Sequence, residues 1–130
     1  MKARDGACVI ILRAGRVLAI SNDHDTRNWN LVGGGVEPGE SFAAAAVREC
    51  MEETQVDLSR ATLIPIRRRR TYSGGEAVAF MVVGDVRFPP RMYSQPFEGH
   101  VAWKQPLELL APGCTHGEAN LVTFGRLGLV

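Results

Sequence analysis

Apolar residues along the chain come in short runs set apart by turn residues, and the period of those runs changes once. Residues 7–12 (ACVIIL) are apolar without a break, the pattern of a strand buried on both faces. Val17 to Ser21 form a second such run, and Arg13-Ala14-Gly15-Arg16 between them reads as a turn, so the two predict a hairpin. Ser21 to Asn30 is polar and turn-rich. Trp29 and Leu31 then lead into a glycine-rich loop from Gly33 to Glu40. From Ser41, a helix N-cap, to Thr54 the chain holds good helix formers with no Gly or Pro. At roughly 100° per residue Ala43, Val47, Cys50, Met51 and Thr54 share one face, the buried one, and Glu49, Glu52 and Glu53 the other.

Strand patterning then returns. Leu63 to Tyr72 reads as a long strand carrying Arg67, Arg68, Arg69 and Arg70, two to each face by alternation. Ser73-Gly74-Gly75-Glu76 is a hairpin turn into a buried strand from Ala77 to Val86. The proline-rich stretch 88–96 is excluded from any central strand. Phe97 to Trp103 predicts a short strand, and Pro106 to Leu110 a short helix with Pro at its start. Thr115 with Glu118 fits a capping box opening a last helix, with Ala119, Val122, Phe124 and Leu127 as its apolar face. Strands enclosing a helix, then a short helical tail, predict the α/β class.

At 130 residues the chain is expected to form one domain, residues 1–130, with a full core. Basic residues number 15 and acidic 14, so no bulk field exists to hold long nucleic acid. Cys8, Cys50 and Cys114 are scattered and odd in number, with no C-x-x-C pair, and read as free thiols in a reducing compartment. No signal-peptide pattern and no apolar run of membrane-spanning length is found, so the expectation is a cytoplasmic protein without membrane contact, monomer or homodimer. His24 between Asp23 and Asp25 is explained by a turn-forming loop without a metal.

The candidate chemistry lies at the end of the first helix. Glu49, Glu52 and Glu53 stand at i, i+3 and i+4, where like charges repel and where the helix dipole disfavours anions. Arg48 lies one turn before Glu52, within reach of an ion pair. A solvated acidic face is one reading. A hard divalent cation, Mg²⁺ with Mn²⁺ as a substitute, is the other, because Mg²⁺ takes oxygen ligands, often one or two carboxylates plus substrate phosphates and water.

The stretch from Gly33 to Val56 resembles the box of the Nudix hydrolases, G-x5-E-x7-R-E-U-x-E-E-x-G-U with U a bulky apolar residue. The chain supplies Gly34, Glu40, Arg48, Glu49, Cys50, Glu52, Glu53 and Val56, with Gln55 where the family has glycine. The resemblance implies an α/β/α sandwich around a mixed central sheet, and hydrolysis of a nucleoside diphosphate linked to another group by attack of a metal-activated water. It implies that Glu49, Glu52 and Glu53 hold metal together with the backbone of Gly33. Arg48 would orient a glutamate, and Glu40 and Gly34 would serve the architecture of the loop. A further carboxylate, as general base or metal ligand, is matched by Glu98, which also reads as an ordinary loop acid.

Within the family the chain is most similar to MutT-type enzymes, which implies a (d)NTP, with oxidised purine forms included, cleaved to a monophosphate and pyrophosphate. Asn120 matches an asparagine that recognises a purine base in those enzymes, and equally reads as an exposed residue in a helix's first turn. Arg67 and Arg69 are candidates for substrate phosphates, against the alternative of a solvated strand edge. Tyr72 matches a tyrosine of some diadenosine polyphosphate hydrolases, which keeps dinucleotide polyphosphates, ADP-ribose and nucleotide sugars open as substrates; core or turn packing is its plain reading. A non-catalytic nucleotide sensor is the reading of another class, opposed by the presence of every box glutamate.

Overall fold

The first apolar run does not form one strand. In the computed structural model, which describes residues 4–21, 28–90, 100–111, 114 and 116–130, it is divided at Ile11. β1 (Gly6–Ile10) joins one half of the sheet and β2 (Leu12–Arg13) the other. The expected hairpin is therefore confined to β2 and β3 (Arg16–Ser21), with Leu12 opposite Val17, while β1 lies parallel to β6 (Glu76–Gly84) and antiparallel to β4 (Asn30–Gly35). An apolar run looks the same whether it crosses between partners or stays with one, so periodicity could not locate the division.

The sheet order is β2-β3-β4-β1-β6-β5, with β5 spanning Ala61–Arg70, and β7 (His100–Lys104) pairs with β3. Only the β1–β6 contact among these is parallel, so the sheet is mixed. Alternation loads both faces. Ala7, Val9, Leu18, Ile20, Val32, Val78 and Phe80 pack with Ala45, Ala46 and Cys50 of helix α1 (Phe42–Thr54). Ile10, Val17, Ala19, Leu31 and Ala79 pack with Trp29, with Leu109 of a 3-10 turn (Pro106–Leu109) and with Phe124 of helix α2 (Gly117–Arg126). The fold is the α/β/α sandwich, and none of its helices is long and apolar enough to cross a membrane among the described residues.

Strand β4 shifts partners midway. Asn30 and Leu31 pair with β3, whereas Val32 to Gly35 pair with β1. The glycines expected in a loop thus belong to a strand, and the loop proper is residues 36–41. Beyond Leu31 the outer edge of β4 has no β3 residue opposite it, and α1 lies along that edge. On the far side, β5 ends the order as an edge strand, where Pro65 is tolerated because its missing N–H breaks no ladder bond. A bulge between Pro65 and Arg67 resets the alternation just before the arginines.

Three further expectations are corrected. Met51 is 42% exposed, and the buried row of α1 is Ala45, Ala46, Cys50 and Thr54. Val122 is also exposed, and α2 instead buries Asn120, Thr123 and Phe124. The N-cap position of α2 is His116, without a side-chain cap bond, and Thr115 lies outside the described residues. A capping box does exist one element earlier, where Gln105 and Glu108 bracket the 3-10 turn.

Candidate active site

Helix α1 starts as its sequence demands. Ser41 Oγ accepts the N–H of Ala44 at 3.0 Å, capping the first turn. It ends at Gln55, which adopts a left-handed conformation with φ 62° and donates its N–H to the Met51 carbonyl at 2.9 Å. A non-glycine residue there costs roughly 1–2 kcal/mol. The helix therefore closes on its acidic end in the geometry that glycine would adopt without strain.

That acidic end rests on the free edge of β4. The Gly33 N–H donates to Glu53 Oε1 at 3.1 Å. A Cβ placed on Gly34 would collide with the carboxylate of Glu49, so only glycine allows the helix side chain to lie on the strand. Arg48 binds the assembly together. Its Nε and Nη2 donate to the two carboxylate oxygens of Glu40 at 2.8 and 2.9 Å, a bidentate fork. Nη2 also donates to the Gly35 carbonyl at 2.9 Å, and Nη1 to Glu49 Oε1 at 3.0 Å and Glu52 Oε2 at 3.3 Å. One guanidinium thus offsets the repulsion between Glu49 and Glu52 and pins the 36–41 loop to the helix. The fork holds the Glu40 carboxyl at about 2, well below the usual carboxylate range, with the Glu37 N–H adding to the effect. Its reciprocal effect raises the Arg48 guanidinium further above its ordinary value.

Among the described residues no three His, Cys, Asp or Glu side chains are gathered closely enough to hold a metal ion by themselves. The donor set nevertheless fits magnesium. Glu49 and Glu52 each meet Arg48 through one carboxylate oxygen and carry a second, and Mg²⁺ completes its shell with water and substrate phosphates rather than an all-protein cage. Glu98 lies outside the described residues.

Two clefts meet beside this corner. One, bordered by Glu37, Glu40, Arg48 and Glu49, is the acidic side. The other, of about 640 Å³, runs between β1, β5 and α2 and is lined by Cys8, Asn30, Arg67, Arg69, His116 and Asn120 among others. They share Arg4, Asp5 and Gly35. The sequence candidates therefore fall in two groups. Gly33, Gly34, Glu40, Arg48, Glu49, Glu52 and Glu53 assemble at the first corner, and Arg67, Arg69, Tyr72 and Asn120 surround the second cleft.

Within the second group the surroundings differ. Asn120 is buried, not an exposed first-turn residue, and its Nδ2 donates to the Leu109 carbonyl at 3.4 Å. Arg67 is engaged structurally, donating to the Ala119 carbonyl and to Thr123 Oγ1 and so joining β5 to α2. Arg69 is half-buried on the same face, while Arg68 turns out to Glu76. Tyr72 is fully exposed at the rim, so packing does not explain it. Burial pushes the Cys8 thiol up to about 11, against the pull of Arg69 and Arg67. The sequence reading missed Asn30 and His116. The signal for Asn30 was its place between Trp29 and Leu31, a polar residue flanked by core.

Comparison with known proteins agrees with this geometry. The family model described as NUDIX domain matches residues 2–120. A Bacillus subtilis (strain 168) protein provisionally named 8-oxo-dGTP diphosphatase is 35% identical over 75 residues, which is 58% of this chain and half the length of that protein. The crystal structure of a MutT NUDIX hydrolase from Burkholderia pseudomallei superposes with a TM-score of 0.71 at 25% identity, covering 95% of this chain and 98% of that one. The solution structure of the E. coli ORF135 protein gives 0.73 at 26% identity, covering 98% and 92%. The chain belongs to the Nudix family.

Proposed function

We propose that the protein is a magnesium-dependent nucleotide pyrophosphohydrolase. Its substrate class is the purine nucleoside triphosphates, oxidised forms included, and its products are a monophosphate and pyrophosphate. The observation that carries the reading is the junction at Gly35, where the carboxylate corner opens into the large cleft. A nucleotide laid across it has its phosphates at the acids and its base between β1 and α2. The provisional name of the B. subtilis relative supports the choice of triphosphate.

Glu49, Glu52 and Glu53, with the Gly33 backbone, would hold the metal. Bound there, magnesium supplies charge neutralisation to phosphate oxygens and acidity to water. The chain's own residues do the rest. Arg48 fixes the rotamers of Glu49 and Glu52, and the Gly33 N–H fixes Glu53, so the carboxylates are set before substrate arrives. Arg69 faces the cleft and is placed to receive phosphate or sugar oxygens. Glu98 is the further carboxylate assigned as general base or metal ligand.

A dinucleotide polyphosphate is the second reading. Tyr72 favours it, since an exposed ring at the rim offers a surface on which a second base can stack. The test is hydrolysis of nucleoside triphosphates, oxidised purine triphosphates, diadenosine polyphosphates, ADP-ribose and nucleotide sugars with Mg²⁺, with products identified. Triphosphates giving monophosphate and pyrophosphate support the first reading. Preferential cleavage of diadenosine polyphosphates transfers the assignment to the second, and no turnover of any of these overturns both.

A further inference from the structure

The large cleft contains a polar group that the fold leaves unsatisfied. Among the described residues, Asn30 Oδ1 is the one buried side-chain oxygen or nitrogen without a hydrogen-bond partner. Asn30 is only 7% exposed and lines the cleft. An orphaned acceptor of this kind costs about 1–3 kcal/mol, and a β-branched or apolar residue would suit a strand position between Trp29 and Leu31 better. Nothing in the packing of β4 requires the amide.

The other end of the amide is held weakly. Nδ2 donates to Asn28 Oδ1 at 3.4 Å, near the limit for such a bond. The terminal torsion of asparagine is broad and roughly two-fold, so rotation brings either end toward the cleft at small cost. Asn120 enters the same cleft from α2, with its own Nδ2 already directed to the Leu109 carbonyl. The two carboxamides stand on different walls of one space whose volume, about 640 Å³, suits a small organic ligand.

We infer that Asn30 is a specificity-determining residue that accepts a hydrogen bond from an N–H on the edge of the substrate's base, with Asn120 as its companion. This rests on the nucleotide reading above. The ligand class is a base that presents an amino or imide N–H, as guanine and its oxidised forms do. A site built to accept such a donor discriminates strongly against a base that lacks it, because the protein acceptor is then left unpaired.

The experiment measures equilibrium binding of GMP, IMP, CMP and ribose 5-phosphate, without metal, to the wild-type chain, Asn30→Ala and Asn30→Asp. The wild type should bind GMP more tightly than IMP, which lacks the 2-amino group, and more tightly than CMP. Asn30→Ala should lose about 10-fold for GMP and leave ribose 5-phosphate unchanged, while Asn30→Asp, which keeps an acceptor, should retain GMP over IMP. Equal preferences in wild type and Asn30→Ala overturn the inference, as does a wild type that does not distinguish the bases. Unfolding midpoints of the variants show whether a loss reflects misfolding; if Asn30→Ala is unfolded, the GMP-over-IMP ratio of wild type against Asn30→Asp decides. Pyrophosphate release is scored separately. Asn30-dependent base preference without turnover retires the hydrolase reading alone, and turnover with unaltered base preference retires Asn30 alone.

Discussion

Gly33 and Gly34 are neighbours with different duties. A Cβ on Gly33 would strike the backbone of Ala7 and Cys8, while one on Gly34 would strike the Glu49 carboxylate. Gly33→Ala is therefore expected to destabilise the fold by about 1–3 kcal/mol through overpacking. Gly34→Ala should keep the fold and displace Glu49, lowering turnover by roughly 10- to 100-fold, as loss of the groups that aim a metal ligand does. Denaturant melts and steady-state rates on the two variants separate the roles. Glu40 provides a second residue-level test. Its folded pKa, about 2, lies below its ordinary 4.5, so its pairing with Arg48 contributes stability above that ordinary value and loses it as pH falls toward about 2. Wild type should outlast Glu40→Gln at neutral pH, and their unfolding midpoints should converge on acidification. Midpoints that differ equally at every pH would contradict this. The acidic residues and Arg48 were legible in sequence because their spacing is helical. The contact of Gly34 with Glu49 was not, since it depends on where β4 loses its partner.

At the scale of elements, β5 and α2 depend on one another through Arg67. Its guanidinium reaches the Ala119 carbonyl and Thr123, whereas Arg69, two residues on, faces the cleft. Arg67→Ala should cost about 1.5–3 kcal/mol of stability, the range for hydrogen bonds to a charged group. Arg69→Ala should leave the unfolding midpoint nearly unchanged and raise KM for nucleotide. The reverse pattern would exchange the roles. Strand alternation foretold that Arg67 and Arg69 share a face, and the bulge after Pro65 preserved it from that point on. What alternation does not contain is the partner across the cleft, 52 residues away. The same limit explains Met51 and Val122. A helical wheel identifies an apolar sector, but the sheet selects the row that fits against it, and here it took Ala46, Cys50 and Thr54 on α1 and Asn120 with Phe124 on α2.

At the scale of the whole molecule, one sheet carries two sites. Its division at β4 opens the edge where the carboxylates of α1 settle, and the cleft between β1, β5 and α2 begins at the same glycines. The α/β/α layering was legible because buried strands and one amphipathic helix admit few arrangements. The second cleft was not, because it is formed by residues from both ends of the chain. The central claim is that the acids of α1 act through metal on a phosphoanhydride. Its most direct test is pyrophosphate release from a purine nucleoside triphosphate with Mg²⁺ by wild type and by Glu53→Gln. Gln retains an oxygen to accept the Gly33 N–H, so the fold should survive, while loss of the carboxylate charge should lower turnover by on the order of 10²-fold or more. A folded Glu53→Gln variant that hydrolyses at the wild-type rate would contradict the account.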